Sequence, residues 1–111
     1  MEFQKPTDED IRQVRAEHQG TRLRMLSAYG ATFIVRPPTE AEFARMQMTV
    51  ESGGTTKKLI AATQLLRDVA VWPSRETAAE ILKELPGLGL NLVDDIIDLI
   101  GVGGAVEKKD L

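Results

Sequence analysis

The sequence predicts a mainly α-helical α+β domain, in which a small bundle of four to five helices packs against an N-terminal β-hairpin. The chain has 111 residues, 42% hydrophobic and 28% charged, which suits one soluble domain with a single core. Polar and apolar residues alternate in parts of residues 21–36, which indicates two short strands. Apolar residues recur at helical spacing through most of the chain beyond residue 39.

The first predicted helix spans residues 7–19. Thr7 provides a hydroxyl for the N-cap, and the acidic residues after it suit the positive end of the helix dipole. The helix has little apolar content beyond Ile11 and Val14, so we expect it to depend on packing against other elements.

A β-hairpin is predicted at residues 21–36, with Gly30 as its turn residue. The second strand must end at the Arg36-Pro37-Pro38 segment, because proline cannot donate a hydrogen bond to a sheet ladder. Two strands alone are marginally stable in water, so one face of the hairpin should pack on the helices that follow.

The second helix is predicted at residues 39–51. Glu42 follows Thr39 by three positions, which is the spacing of a capping box. We therefore expect a set of residues to hold the junction between strand and helix. These structural residues are Arg36, Pro37, Pro38, Thr39 and Glu42.

Three further helices are predicted at residues 56–71, 74–85 and 89–100 from their apolar stripes. Trp72 and Pro73 end the first of them, because proline restricts the residue before it to extended backbone. We expect both residues to be structural at this helix corner, with Trp72 in the core.

Residues 1–101 are predicted to form the single globular domain and residues 102–111 a flexible tail. The N-terminus is acidic and has no apolar run typical of a signal peptide, and carboxylates interrupt the most aliphatic segment. These features predict a cytoplasmic protein that does not insert into a membrane.

The composition argues against an enzyme or a metalloprotein. The chain has no cysteine and one histidine, so it lacks a thiolate nucleophile and a zinc ligand set. The carboxylates lie opposite the apolar stripes of the predicted helices, where water reaches them. We predict no catalytic residue, no metal site and no cofactor.

The last helix is apolar around more of its circumference than one core stripe requires. A central position in the bundle would explain this surplus, and so would a face that binds another protein. If a free face binds a partner, we expect it to contain Leu88, Leu90 and Leu99, and Leu92, Ile96 and Ile100 to lie in the core. The candidate partner-binding residues are Leu88, Leu90, Leu92, Ile96, Leu99 and Ile100.

Residues 85–92 also resemble the hairpin of helix-hairpin-helix DNA-binding proteins, because Leu-Pro-Gly-Leu-Gly joins two amphipathic helices. Acidic side chains surround this corner, among them Glu84 and Asp94, and would repel phosphate. Nucleic acid is therefore disfavoured as a partner. A small nucleic-acid-binding or regulatory domain remains the alternative function.

Three segments together resemble the small tail assembly chaperones of long-tailed bacteriophages. They are FIVRPPTEAEFARM, LLRDVAVWPS and LKELPGLGLNLVDDIIDLIG, which span about residues 32–101. The family commonly has a strand ending in Arg-Pro, a Thr-x-x-Glu-aromatic helix start, a Val-x-Pro-Ser turn, and a Pro-Gly-Leu corner before a helix that ends in Gly.

This resemblance implies a non-enzymatic protein that binds the tape measure protein and assists tail tube assembly. It implies a further partner, the tail tube protein, and a location in the cytoplasm of the infected host cell rather than in the mature virion. A structural head–tail or tail component of the virion is a third reading, and homo-oligomerisation stays open.

Overall fold

Five helices and a three-stranded antiparallel sheet make up the computed structural model, which describes residues 3–101 and residue 110. In chain order the elements are α1 (Asp8–Glu17), β1 (Arg24–Ala28), β2 (Ala31–Val35), α2 (Glu40–Glu51), α3 (Thr55–Val69), β3 (Ala70–Trp72), α4 (Arg75–Glu84) and α5 (Leu88–Asp98). The predicted α+β class, with one helix before a hairpin and four after it, is confirmed. The predicted tail at 102–111 lies outside the described residues, apart from Asp110.

The hairpin closes through a two-residue turn between the paired residues Ala28 and Ala31. Its two turn residues, Tyr29 and Gly30, have φ angles of 52° and 79°. Positive φ at both positions defines a type I′ turn, whose twist matches that of the strands it joins. Gly30 therefore serves as the turn residue that the sequence predicts.

The third strand, β3, is a difference from the sequence prediction. Residues 70–71 were expected to continue a helix, but α3 ends at Val69 and β3 pairs antiparallel with β2. Ile34 is the partner of Trp72 in this pairing. A strand of three residues is too short to show a period of two, so its sequence contained no usable signal.

The main helical core covers one face of the sheet and α1 lies over the other, with β2 in the centre of the sheet. Phe33 and Val35 of β2 join the main core together with buried residues of α3, α4 and α5. On the opposite face, Ile34 lines a small cleft with Ile11 and Val14 of α1. All five residues of β2 are buried because both faces of this strand are covered.

Helices α3 and α5 approach each other closely at Gly89. A Cβ atom at this position would lie 2.8 Å from the backbone nitrogen of Thr63. Only glycine leaves room for this contact between backbones. Gly89 thereby sets how closely α5 packs on α3.

Two arginines next to or within β1 interact with the C-terminal end of α5. Arg22 Nη2 donates to the carbonyl oxygen of Leu99 at 3.1 Å. Arg24 Nη1 donates to the carbonyl oxygen of Asp95 at 3.2 Å and to the Asp98 carboxylate at 3.1 Å. Because the last turn of α5 has no basic residue, these contacts supply positive charge at the negative end of its dipole.

Candidate partner-binding surface

The structure buries most of the residues predicted on the last helix to bind a partner. Leu90 is 39% exposed and Ile100 is half-buried. The other four are at most 6% exposed: Leu88, Leu92, Ile96 and Leu99.

Leu92 and Ile96 thus lie in the core, as expected for a central helix, but the expected free face is wrong for Leu88 and Leu99. The physical reason is that α5 packs against both α3 and β1, so two neighbours cover its wide apolar circumference. Partner binding by any residue of α5 stays a prediction, for which Leu90 is the most accessible side chain.

The strand-to-helix junction is built around an ion pair between Arg36 and Glu42. Two parallel hydrogen bonds of 2.8 Å join the guanidinium to the carboxylate. Glu42 also accepts from the Thr39 amide at 2.8 Å, and the Thr39 hydroxyl accepts from the Glu42 amide at 3.2 Å. One carboxylate therefore completes both the ion pair and the capping box of α2.

The environment of Glu42 lowers the pKa of its carboxyl to about 2. The hydrogen bonds from Arg36 are the main cause; partial burial opposes them, and the hydrogen bond from the Thr39 amide adds to them. The same contact raises the pKa of Arg36 above its ordinary value. Both groups are charged at neutral pH.

Arg36 also connects the junction to α3. Its Nη2 donates to the carbonyl oxygen of Asp68 at 2.8 Å, and its backbone amide donates to the carbonyl oxygen of Val69 at 3.0 Å. The Asp68 side chain accepts from Gln64 at 2.9 Å and lies 3.6 Å from Arg45. One arginine thereby links β2, α2 and the end of α3.

The remaining junction residues differ in burial. Pro38 and Pro73 are buried, whereas Pro37 is half-buried. Trp72, expected in the core, is also half-buried, because it belongs to β3 at the edge of the sheet, where it pairs with Ile34.

An open groove, here called the α3–α4 groove, lies between α3 and α4. It consists of a cavity of about 550 Å³ and an adjoining one of about 290 Å³. Its apolar lining includes Leu59, Ile60, Ala79, Leu82 and Pro86. Ile60 is 51% exposed, so a large aliphatic side chain faces solvent here.

The rim of the α3–α4 groove is basic. Arg67, Arg75 and Lys83 line it and are exposed. Within residues 3–101, none of the three forms an ion pair. The one carboxylate in the lining, Asp68, lies near Arg45, which offsets its charge.

Sequence reasoning missed this groove because its two walls come from different helices. Each wall reads on its own as an ordinary amphipathic stripe. On α4, Arg75 lines the groove, whereas Lys83 lies between the groove and a second cavity that Glu80 and Glu84 line together with Phe3. No pattern local to either helix therefore marks the groove.

The corner that resembles a DNA-binding hairpin offers little to a phosphate group. The amides of Leu88 and Leu90 already donate to the carbonyl oxygens of Leu85 and Gly87. Gly89 is buried against the backbone of α3. Leu88 and Gly89 at the start of α5 thus face the protein interior, which argues against the nucleic-acid alternative.

Residues 3–101 contain no group of three or more His, Cys, Asp or Glu side chains that could hold a metal ion. Among the same residues, no helix has both the length and the apolar character needed to cross a membrane.

Comparison with known proteins identifies the fold. No family model matches the sequence, and no curated protein matches it significantly. Among solved structures, the uncharacterised protein rbstp2171 from Bacillus stearothermophilus matches with a TM-score of 0.70 and 17% identity, over 89% of this chain and 99% of that chain. This likeness shows that the two proteins share one fold over nearly their whole length.

A second matched structure is that of the bacteriophage HK97 tail assembly chaperone. It has a TM-score of 0.47 and 21% identity, over 81% of this chain and 97% of that chain.

Proposed function

We propose that this chain is a tail assembly chaperone of a long-tailed bacteriophage. The observation that carries the proposal is the order and spacing of the three motif segments within residues 32–101. In the folded chain, the Arg-Pro-Pro-Thr segment and Glu42 form one hydrogen-bonded junction. The Pro-Gly-Leu segment forms the corner between α4 and α5.

The proposed activity is non-enzymatic binding of the tape measure protein and assistance to tail tube assembly, with the tail tube protein as a second partner. A long helical chain with apolar stripes needs its exposed faces covered until the tube encloses it. A small domain with an open apolar groove between two helices is suited to that task, by helix-in-groove contact. The chain would act in the cytoplasm of the infected host cell.

The test is co-expression of this chain with the long, helix-rich protein encoded downstream of its gene, which is the expected tape measure protein. We expect the long protein to move from the insoluble to the soluble fraction and to co-purify with this chain. Co-expression with a charge-matched, unrelated small protein is the control. A long protein that stays insoluble beside a well-folded partner would contradict the proposal.

Purified phage particles distinguish the chaperone from a structural virion component. A chaperone leaves the finished tail, so we expect mass spectrometry of purified particles to lack this chain. Stoichiometric amounts in the particles would instead support the virion-component alternative.

A further inference from the structure

We propose that the α3–α4 groove binds an acidic amphipathic helix of a partner protein. This inference rests on the proposed function for the identity of the partner, but the chemistry of the groove specifies the class of ligand. The shape of the groove, its apolar lining and its rim charges each support this choice.

The shape fits one helix. At one end of the groove, Arg67 near the end of α3 lies beside Arg75 at the start of α4. At the other end, Leu59 lies beside Pro86. The two walls are therefore antiparallel, and the ten residues of α4 span roughly 15 Å at 1.5 Å per helical residue. This length accommodates about three turns of a partner helix.

The apolar lining specifies an amphipathic ligand. Ile60 is half-exposed and Leu82 is buried beneath the surface, so the lining deepens from an open edge to the core. Leucine-sized side chains spaced one turn apart on a partner helix would cover Ile60 and Leu59 and remove their surfaces from water.

The rim charges specify the polar face of that ligand. Three exposed cations surround the groove of a chain whose formal net charge is −3. Glutamate or aspartate beside the apolar stripe of the ligand would pair with Arg67, Arg75 and Lys83, whereas lysine there would be repelled. The groove should therefore reject basic amphipathic helices of equal hydrophobicity.

A second copy of this chain is a poorer occupant. Its acidic helix α1 is the obvious candidate, since Asp8, Glu9 and Asp10 form its first turn. However, the apolar residues of α1, Ile11 and Val14, already line the cleft against the sheet. An α1 helix docked in the groove of another copy would have to leave its own sheet.

The test uses two synthetic peptides of about 18 residues, which is long enough to span the groove. Both have leucine at the same helical positions; one has glutamate at the flanking positions and the other has lysine. Fluorescence anisotropy with the full chain should show binding of the glutamate peptide and about tenfold weaker binding of the lysine peptide, the ratio expected from two or three exposed charge pairs.

Charge reversal on the rim provides the matched comparison. The double variant Arg67→Glu/Lys83→Glu should reverse the peptide preference, because both substitutions are exposed and leave the lining intact. The control Lys5→Glu/Arg12→Glu makes the same change in net charge at exposed positions outside the groove and should retain the wild-type preference. Circular dichroism confirms that all variants are folded.

Three outcomes would overturn the inference. The first is equal binding of both peptides. The second is that the rim variant and the control variant weaken binding of the glutamate peptide equally. The third is self-association of the chain that only the rim variant abolishes, which would assign the groove to a second copy. The peptides do not depend on the tape measure protein. If the peptides show no charge preference but co-expression solubilises the tape measure protein, the role of the groove is rejected and the chaperone function is kept. If the peptides bind as expected but the tape measure protein stays insoluble, the chaperone function is rejected and the role of the groove is kept.

Discussion

Glu42 is the residue whose ionisation contributes most clearly to stability, because its carboxylate is only 14% exposed and accepts from both Arg36 and the Thr39 amide. Its pKa in the folded chain is about 2, below the ordinary value of 4.5. A lowered pKa means that the stabilisation is present above pH 4.5 and is lost as the pH falls towards 2. About 2 kcal/mol of it should be lost by pH 3.

The substitution Glu42→Gln tests this pH dependence. It preserves an acceptor for the Thr39 amide but removes the ion pair, so we expect a loss of about 1–3 kcal/mol in the free energy of unfolding at pH 7. The difference from wild type should shrink at pH 3. Urea unfolding at both pH values measures it, and a difference that is the same at pH 7 and pH 3 would contradict the assigned role of the carboxylate.

Gly89 is the second residue with a clear effect on stability, because its contact with the backbone of α3 leaves no room for a side chain. In Gly89→Ala, the new Cβ would meet the backbone of Thr63, which cannot move as the tip of a side chain can. We expect a loss of about 1–3 kcal/mol, despite the better helix propensity of alanine.

Gly87→Ala is the matched control for this substitution, because nothing lies within 4 Å of a Cβ at that position. It should be neutral or slightly stabilising. Urea unfolding of both variants provides the comparison, and equal stability of the two would show that α3 and α5 are not in close contact at Gly89.

At the scale of elements, the hairpin turn contains a residue that is unfavourable for its conformation. Tyr29 has a φ angle of 52° and is 72% exposed, so little packing compensates for its left-handed backbone. Because asparagine is favoured at this position of a type I′ turn, Tyr29→Asn should raise stability by about 0.5–1 kcal/mol. Tyr29→Val should lower stability, since a β-branched residue disfavours positive φ. Thermal unfolding checks both, and the opposite order would argue against a type I′ turn.

Helix α5 can be tested by two aspartate substitutions. Ile96 is 0% exposed and Leu90 is 39% exposed. Ile96→Asp buries a carboxylate without a partner and should unfold the domain, whereas Leu90→Asp should change stability by less than about 1 kcal/mol. Far-ultraviolet circular dichroism with urea titration distinguishes them. Equal loss of structure in both would contradict the central position of α5.

The elements differ in how far their sequences could predict them. The capping box of α2 is local, so Thr39 and Glu42 predicted it directly. Glu42 has a second role as the ion-pair partner of Arg36. The Arg36 guanidinium also donates to the carbonyl oxygen of Asp68, 32 positions along the chain, and no local sequence pattern predicts that contact. The burial of Leu88 and Leu99 was missed because an apolar circumference does not reveal how many neighbours will cover it.

At the scale of the whole molecule, the folded chain separates its charges in a way that the sequence shows only coarsely. The sequence is basic in its middle and acidic at both ends. In the structure, Arg22, Arg24 and Arg36 are used in contacts within the chain. Arg67, Arg75 and Lys83 around the α3–α4 groove form no ion pair within residues 3–101 and are therefore available to attract a partner.

Co-expression of the expected tape measure protein with three forms of this chain tests the chaperone function and the groove together: wild type, Arg67→Glu/Lys83→Glu and Lys5→Glu/Arg12→Glu. We expect wild type and the Lys5/Arg12 control to keep the long protein soluble and to co-purify with it. The Arg67/Lys83 variant should be equally well folded and should lose most of the co-purified protein. Retention by all three forms would contradict the role of the groove, and retention by none would contradict the chaperone function.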